Sequence, residues 1–396
     1  MLRLTVKNFG ILKNIDVELR KTNLFIGDNG SGKSTLAKLI IIVTDFTLDE
    51  TEILQRLKDF NIDFFNKDCV IEVKEDDLLI LSIVGLKINF SKTRKNFLQT
   101  LQKHETTIAV NNLMNAAKDE DILDELINKV SMDNKDLADI IIKLKNNKKL
   151  RNSLTNIDRS INHSKSKYIP AERNLISLFN QSLSNIINAK IPLPKILLEF
   201  SSEYNSARNE IKELDILNMK YKNENSNDRI YYESNNSLAL ENSSSGIQSA
   251  LPLYLTLKYF ATKHKNIIIE EPELNLYPES QIDTIKYIIE NRQESSLTIM
   301  THSPYILSIL NVLLFAHKAA NTNPILKEKI SNLIQEEQQI DPNEFCAYLI
   351  EHGVSKNIKG KSTGMIQENA IDDIGGLIDN EFNDLIDIYS EFKSDK

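Results

Sequence analysis

A glycine-rich segment close to the amino terminus has the composition and spacing of a phosphate-binding loop. Residues 27–35 are GDNGSGKST and match the pattern G-x-x-x-x-G-K-[ST]. Glycines allow consecutive backbone N–H groups to converge on a phosphate, the lysine can reach the β- and γ-phosphates, and the serine hydroxyl can ligate Mg²⁺. Lys33 is therefore a predicted catalytic residue, and Ser34 is a predicted Mg²⁺ ligand. The residues predicted to bind a nucleoside triphosphate in this loop are Gly27, Asp28, Asn29, Gly30, Ser31, Gly32, Lys33, Ser34 and Thr35.

Two adjacent glutamates follow a run of three isoleucines. Residues 266–280 are NIIIEEPELNLYPES, so Glu270 and Glu271 stand where an apolar strand ends. Open α/β sheets bind ligands at the carboxyl ends of their strands, and neighbouring carboxylates there repel each other unless a cation neutralises them. We predict that Glu270 holds Mg²⁺. Glu271 is then the catalytic base, or the group that orients water, for hydrolysis of the γ-phosphate.

A histidine occupies the corresponding position after the next apolar run. Residues 297–304 are LTIMTHSP. A single histidine is more often structural, but one at the end of a core strand can hydrogen-bond a γ-phosphate or the attacking water. Together with the two preceding motifs, this position makes His302 the third predicted catalytic residue.

A serine-rich segment, ENSSSGIQSALP at 241–252, precedes a strongly apolar helical pattern. Taken alone, it indicates a solvated loop with a helix N-cap. The chain has only 11 glycines, however, and one of them is Gly246 in this segment. The placement of Gly246 calls for a further explanation.

The elements that must position these residues are visible in the hydrophobic pattern. Alternation predicts antiparallel strands at 2–8 and 15–19 and a hairpin over 69–90. Helical spacing over 33–43 follows the short apolar run 23–26 directly. This strand-loop-helix order is the context that a phosphate-binding loop requires.

The middle of the chain is predominantly helical in its pattern. Residues 93–163 are broken helix without a sustained heptad repeat, which favours a compact insertion over a coiled-coil arm. A strand running into a turn is predicted at 166–174, with helix from there to about 215. Strands are predicted again at 266–270 and 296–300, with helix between them.

Composition bounds the class of protein. The 396 residues are 41% hydrophobic and 26% charged, with a net charge of -8, which excludes a wholly basic nucleic-acid coat. Cys69 and Cys346 lack metal-ligand spacing and are expected to be buried thiols. With neither a signal peptide nor an apolar run of membrane-spanning length, we expect a soluble cytoplasmic protein without a membrane partner.

In their order along the chain, the phosphate-binding loop, SSSG, EEPE and THS segments resemble the ABC-type ATPase head of SMC-like and RecF-like proteins. The forms EEPELNLYP and THSPYIL resemble the OLD-like AAA-family ATPases of bacteria, several of which serve in anti-phage defence. The resemblance covers about 1–45 and 229–310 and extends to YIPAERN at 168–174. It implies an α/β fold: a P-loop NTPase of the ABC-head type with a mixed central sheet, an antiparallel β subdomain and a helical insertion.

The resemblance also implies a division of the chain. The expected parts are 1–92 (head with P-loop and β subdomain), 93–165 (helical insertion), 166–325 (head with signature, acidic strand end and histidine) and 326–396 (a tail that completes the head or binds a partner).

The same resemblance explains the serine-rich segment. In ABC heads such a loop caps the γ-phosphate bound to the P-loop of a second subunit, using hydroxyls, backbone N–H groups and a helix amino terminus. It implies that Ser244, Ser245 and Gly246 bind ATP across the interface of a homodimer or higher homo-oligomer.

Some features depart from the family pattern. The family often has a histidine in the segment that is 275–277 here. The glutamine of the usual Q-loop is not identified in this sequence, and 168–174 is the region considered for it. OLD-type nucleases carry a Toprim domain, which needs a Glu and an Asp-x-Asp on separate strands. AIDDIGG and LIDNEFND, within 370–384, lack that context. We therefore predict no nuclease in this chain and a separately encoded effector, such as a nuclease or toxin.

The motifs are compatible with three functions: an ATPase switch for an effector in anti-phage defence, a RecF- or SMC-like DNA-repair ATPase, and a transporter head. The EEPE form and the insertion argue against the transporter head. DNA contact is possible through two basic clusters, although a charge run is usually a solvated helix face. These clusters are Lys92, Arg94 and Lys95, and then Lys143, Lys145, Lys148, Lys149 and Arg151.

Overall fold

A computed structural model describes residues 1–102, 165–179, 193–224, 227–233, 236–261 and 266–367. Within those ranges the strands are β1 (Leu2–Phe9), β2 (Leu12–Leu19), β3 (Thr22–Ile26), β4 (Val70–Glu75), β5 (Leu78–Val84), β6 (Lys87–Phe90), β7 (Ser166–Ile169), β8 (Glu213–Ile216), β9 (Met219–Glu224), β10 (Asn227–Tyr231), β11 (Ser237–Ala239), β12 (Asn266–Glu270), β13 (Ser296–Thr301), β14 (Phe345–Glu351) and β15 (Val354–Asn357). The helices are α1 (Lys33–Val43), α2 (Glu50–Asp59), α3 (Asn174–Phe179), α4 (Lys195–Glu210), α5 (Ser245–Ala261), α6 (Pro278–Asn291), α7 (Pro304–Ala320) and α8 (Pro324–Ser331).

One large mixed sheet organises the described residues, with strand order β6-β5-β4-β1-β2-β15-β14-β3-β13-β12-β7. The strands from β14 to β7 run parallel to one another, whereas β2, β1, β4, β5 and β6 pair antiparallel. The antiparallel strands therefore continue the sheet that carries the P-loop. Strands β11, β10, β9 and β8 form a smaller antiparallel sheet.

The parallel strands are buried on both faces, as their near-continuous apolar runs predict. In β3, Leu24 and Ile26 belong to one core, which includes residues of α3 to α7, and Phe25 belongs to the other, which includes α1 and α2. The same alternation in β12 places Ile268 on the α1 side of the sheet. Glu270, two residues further on, follows on that side because side chains alternate with a period of two.

The described elements confirm the predicted fold class, an α/β P-loop head with a mixed sheet. The strand predictions around 2–8, 15–19, 23–26, 69–90 and 166–169 are confirmed, and so are those at 266–270 and 296–300. The helix predicted to reach about 215 was wrong at its end. Helix α4 stops at Glu210, and the next residues form β8, where alternation buries Leu214 and Ile216.

The segment after α8 contributes two strands to the large sheet. Strand β14 pairs parallel with β3, and β15 pairs antiparallel with β14. Most of the predicted insertion, including 103–164, lies outside the described residues. Within the described part of the chain, no helix combines the length and apolarity that crossing a membrane would require.

Candidate nucleotide site

Three parallel strands end side by side at one edge of the sheet. Strand β13 lies between β3 and β12, with Thr301 opposite Ile26 and Met300 opposite Glu270. The P-loop follows β3, Glu271 follows β12, and His302 follows β13. Parallel pairing therefore brings together residues that lie up to 275 positions apart in the sequence.

The P-loop leads directly into the amino terminus of α1. Gly32 is the N-cap, and its φ of 107° lies in a region that L side chains rarely adopt. Within the described ranges no side chain caps this helix end, and its first turn contains no acidic residue. The first-turn N–H groups and the positive end of the helix dipole can therefore act on a bound anion.

Lys33 is buried behind the loop. Its Nζ donates to the carbonyl oxygen of Gly27 and, at 2.9 Å, to that of Asp28. Burial lowers the pKa of Lys33, and the negative charges of Glu271 and Asp28 oppose that shift. The charge is thus held beside the concave backbone of the loop, where a phosphate would complement it.

Glu270 is 5% exposed, and its Oε1 has no hydrogen-bond partner among the residues that the structure describes. Burial raises the pKa of this carboxyl, while the nearby hydroxyls of Tyr168 and Ser34 act in the opposite direction. A buried carboxylate oxygen without a partner is costly unless a cation or a proton neutralises the group. Ser34 is exposed at the start of α1, so a hydroxyl and a carboxylate, both hard oxygen donors, are available to Mg²⁺. The residues present fit the metal.

Glu271 and His302 form a close pair. His302 Nε2 donates to Glu271 Oε1 at 2.7 Å, and His302 Nδ1 faces the carbonyl oxygen of Gly27 at 3.3 Å. Both ring nitrogens face acceptors, so the protonated imidazolium satisfies both contacts. The hydrogen bond between the two side chains lowers the pKa of Glu271 and raises that of His302. This pair links the ends of β12 and β13 to the first residue of the P-loop.

Sequence reasoning missed the role of Glu273, the last acid of EEPE. Its Oε1 accepts from Thr301 Oγ1 at 2.6 Å and from the backbone N–H of His302 at 2.9 Å. Glu273 thereby fixes the turn after β12 to the turn after β13. A third acid two residues beyond a glutamate pair was the available signal, but the groups that donate to it could not be identified before the strands were paired.

The serine-rich segment lies at the start of α5, as predicted for a helix amino terminus. Ser244 and Ser245 are exposed, and Gln248 Nε2 donates to the carbonyls of Glu241 and Ser243 at 3.0 Å each. A Cβ on Gly246 would lie 3.0 Å from the carbonyl oxygen of Asn275. Among the hydrogen bonds of the described residues, none joins 243–246 to the P-loop residues 27–35. In the described part of the chain, then, the serine loop lies against the EEPELNLYP segment at Asn275 and makes no hydrogen bond to its own P-loop.

The AAA ATPase domain model matches residues 1–307, which contain all of these motifs. The chain belongs to this family. It is therefore an AAA ATPase, and the match supports nucleotide binding and ATP hydrolysis in general. No curated protein matches the sequence.

Solved structures similar to this AAA ATPase have low sequence identity. One is the Smc head domain with an extended coiled coil bound to the C-terminal domain of ScpA from Pyrococcus furiosus (13% identity, TM-score 0.37). Another is an Smc head bound to the C-winged helix domain of ScpA (11% identity, TM-score 0.39). Each alignment covers 90% of this chain and 96% of the other. A third is cbiO1 from Clostridium perfringens, part of the ABC transporter complex cbiONQ (11% identity, TM-score 0.33, covering 90% of this chain and 86% of that one).

One member of the first basic cluster of the AAA ATPase has a structural explanation. Arg94 is 3% exposed and donates to the backbone carbonyls of Asp45 and Leu48, so this residue is unavailable to DNA. The cluster within 143–151 lies outside the described residues, as do the acidic segments within 370–384. Both free cysteines are buried.

Proposed function

We propose that this AAA ATPase hydrolyses ATP in a head-to-head homodimer and acts as a switch for a separately encoded effector in anti-phage defence. One observation supports the proposed homodimer. The serine loop presents exposed Ser244 and Ser245 at a helix amino terminus, and the hydrogen bonds of the described residues include none from this loop to the P-loop of its own chain. A second copy would place a γ-phosphate against those hydroxyls and N–H groups, and each chain would complete the site of the other.

In the proposed site, Ser34 and Glu270 hold Mg²⁺. The bound ion would supply charge neutralisation for the β- and γ-phosphates. Glu270 is suited to this position because its buried Oε1 lacks a partner among the described residues. Lys33 provides the fixed positive charge behind the phosphate-binding loop.

Glu271 is proposed to accept a proton from the attacking water or to orient that water. His302 holds the Glu271 carboxylate through the 2.7 Å contact and stands beside Gly27, where a γ-phosphate would lie. Binding of ATP would therefore bring substrate, base and histidine together at one edge of the sheet. Ser244, Ser245 and Gly246 of the partner would close the opposite side.

The regulatory role and the effector rest on the likeness of EEPELNLYP and THSPYIL to the OLD-like branch. The effector, a nuclease or toxin, should be encoded by an adjacent reading frame. If so, the adjacent gene product should copurify with this chain, and protection of cells against phage should require Glu271. ATP-dependent DNA binding without such a partner would favour the RecF- or SMC-like repair function.

The dimer is tested by mixing two inactive variants. Ser244→Asp adds a negative charge opposite the partner's γ-phosphate while keeping a good N-cap for α5, where the Ile247 N–H approaches Ser244 Oγ at 3.5 Å. It is preferable to Gly246→Asp, which should also lose turnover but would press on Asn275 in its own chain. The second variant, Lys33→Ala, removes the charge of the P-loop.

A mixed dimer contains one site with both defects and one with neither, so its turnover should recover to about half the wild-type rate. The measurement is steady-state ATPase activity of mixed dimers purified through two different affinity tags. Each variant alone should remain inactive. Verified mixed dimers without activity would show that the serine loop does not act across an interface.

A further inference from the structure

Arg173 lies behind the candidate site and is completely buried. It ends the 3₁₀ turn Ala171–Arg173, which follows β7. Its guanidinium donates to the carbonyls of Glu270 (2.8 Å) and Glu271 (2.7 Å), and also to those of Pro170 (3.0 Å) and Ser249 (2.9 Å). One planar side chain thus joins the turn after β12 to the serine-loop helix α5.

Pro252 opens the helix to a second contact, beside that of Arg173. Proline has no N–H, so the carbonyl of Gln248, four residues earlier, lacks its usual helical donor. Ser177 Oγ donates to that carbonyl at 2.7 Å, next to the contact of Arg173 with Ser249. Residues 170–177, here called the bracket segment, therefore dock on backbone groups of α5.

Arg173 also contacts Glu271, which has a strained backbone conformation. Glu271 has a φ of 42°, a conformation that residues other than glycine adopt only where their surroundings hold them. Its N–H donates to the carbonyl of Met300 at 2.8 Å, and its own carbonyl accepts from Arg173. Asn275 Nδ2 adds a second link to α5 by donating to Ser249 Oγ at 2.9 Å.

We propose that Arg173 is a positioning residue that sets the orientation of Glu271 relative to the serine-loop helix. Displacement of α5 by a partner's nucleotide would then move the Glu271 backbone through one rigid guanidinium. The inference rests on the proposed catalytic role of Glu271. It gives the bracket segment a function distinct from nucleotide contact, because all four acceptors of Arg173 are main-chain carbonyls of its own chain.

The test is Arg173→Lys, which keeps a positive charge but replaces the planar fork with a single ammonium that cannot serve four carbonyls in this geometry. We expect kcat to fall roughly tenfold or more, with the Kd for ATP and the KM changed less than about twofold. Loss of positioning acts on turnover, whereas the P-loop that binds ATP is intact. An unchanged kcat in a folded variant would overturn the inference.

Arg208→Lys is the matched control. Arg208 is also a buried arginine and pairs with Asp228 at 3.2 Å, in α4 and β10. We expect it to lower the melting temperature by an amount comparable to Arg173→Lys while leaving kcat unchanged. Equal losses of kcat in both variants would attribute the effect of Arg173 to general destabilisation and overturn the inference.

A double-mutant cycle tests whether Arg173 acts through Glu271. In single-turnover measurements, Arg173→Lys should slow hydrolysis in the wild-type background but add little in the Glu271→Gln background. Full additivity would contradict positioning through Glu271. If Arg173→Lys does not fold, Ser177→Ala removes one hydroxyl of the bracket segment and should lower kcat about threefold with an unchanged Kd; an unchanged kcat there would also overturn the inference.

These outcomes are separable from failure of the proposed dimer. The dimer fails if verified mixtures of Ser244→Asp and Lys33→Ala stay inactive. The positioning role fails if Arg173→Lys retains turnover, whatever the mixtures show.

Discussion

Lys33 is the residue on which we propose that nucleotide binding depends most directly. It holds a buried positive charge against two carbonyls of the loop that would surround the phosphates. Because burial lowers the pKa of this ammonium, the folded protein bears a cost for keeping it charged, and a phosphate would offset that cost.

We expect Lys33→Ala to abolish ATP binding, because it removes the point charge that faces the β- and γ-phosphates. Equilibrium dialysis with labelled ATP, with and without Mg²⁺, measures this directly. Lys38→Ala, five residues further along α1, is the control and should retain binding. Wild-type affinity in Lys33→Ala would refute the assignment of the P-loop.

Substitutions of Glu270 and Glu271 should have different effects on ATP hydrolysis. Glu271→Gln keeps the shape of the side chain but cannot accept a proton, so ATP binding should persist while turnover falls on the order of a hundredfold. Glu270→Gln should instead shift the Mg²⁺ dependence of activity to higher concentration, because it removes charge from the proposed metal site. Titrating Mg²⁺ for both variants distinguishes the roles, and the opposite pattern would mean that they are reversed.

Among the elements, β14 has a close relation to the P-loop. A Cβ on Gly27 would lie 2.1 Å from the carbonyl oxygen of Ile350 in that strand. Strand β14 begins more than 300 residues after Gly27 in the sequence, yet it packs directly against the start of the phosphate-binding loop. Gly27 is required by this neighbour as well as by the loop.

Gly27→Ala should consequently destabilise the fold by about 2–3 kcal/mol, the upper part of the range for overpacking, because a backbone group must move. Gly85→Ala, in the β5–β6 turn, is the comparison. Its Cβ would have 3.7 Å to the nearest atom, and only its φ of 58° is unfavourable, so about 1 kcal/mol is expected. Urea unfolding of both variants measures the difference. Equal free energies of unfolding for the two variants would show that the β14 backbone moves at little energetic cost.

At the scale of the whole molecule, we predict that this chain has no nuclease activity and that any DNA cleavage is carried out by a separate protein. Among the described residues, no group of three or more His, Cys, Asp or Glu side chains is arranged to hold a metal ion. We expect the purified chain to leave plasmid DNA intact with Mg²⁺ or Mn²⁺, as followed on agarose gels. Cleavage that disappears on substituting Asp372 and Asp373 of the AIDDIGG segment would locate a nuclease within this chain.

The sequence by itself determined the features whose chemistry is local. The strand-loop-helix context of 23–43 and the strand ends at Glu270 and His302 were readable because each depends on a short contiguous run. The fold class came from the family resemblance that these motifs carry, and it accounts for their positions because parallel strands collect such ends at one edge of a sheet.

Only the tertiary structure decided contacts between residues remote in sequence. Arg94 reads as part of a basic cluster, but its guanidinium is buried against carbonyls of 45 and 48. Arg173 reads as part of a turn, but three of the four carbonyls to which it donates lie 76 to 98 residues later. Helical and strand periodicity specifies which face of an element is apolar, whereas the identity of the opposing backbone depends on how the strands are ordered in the sheet.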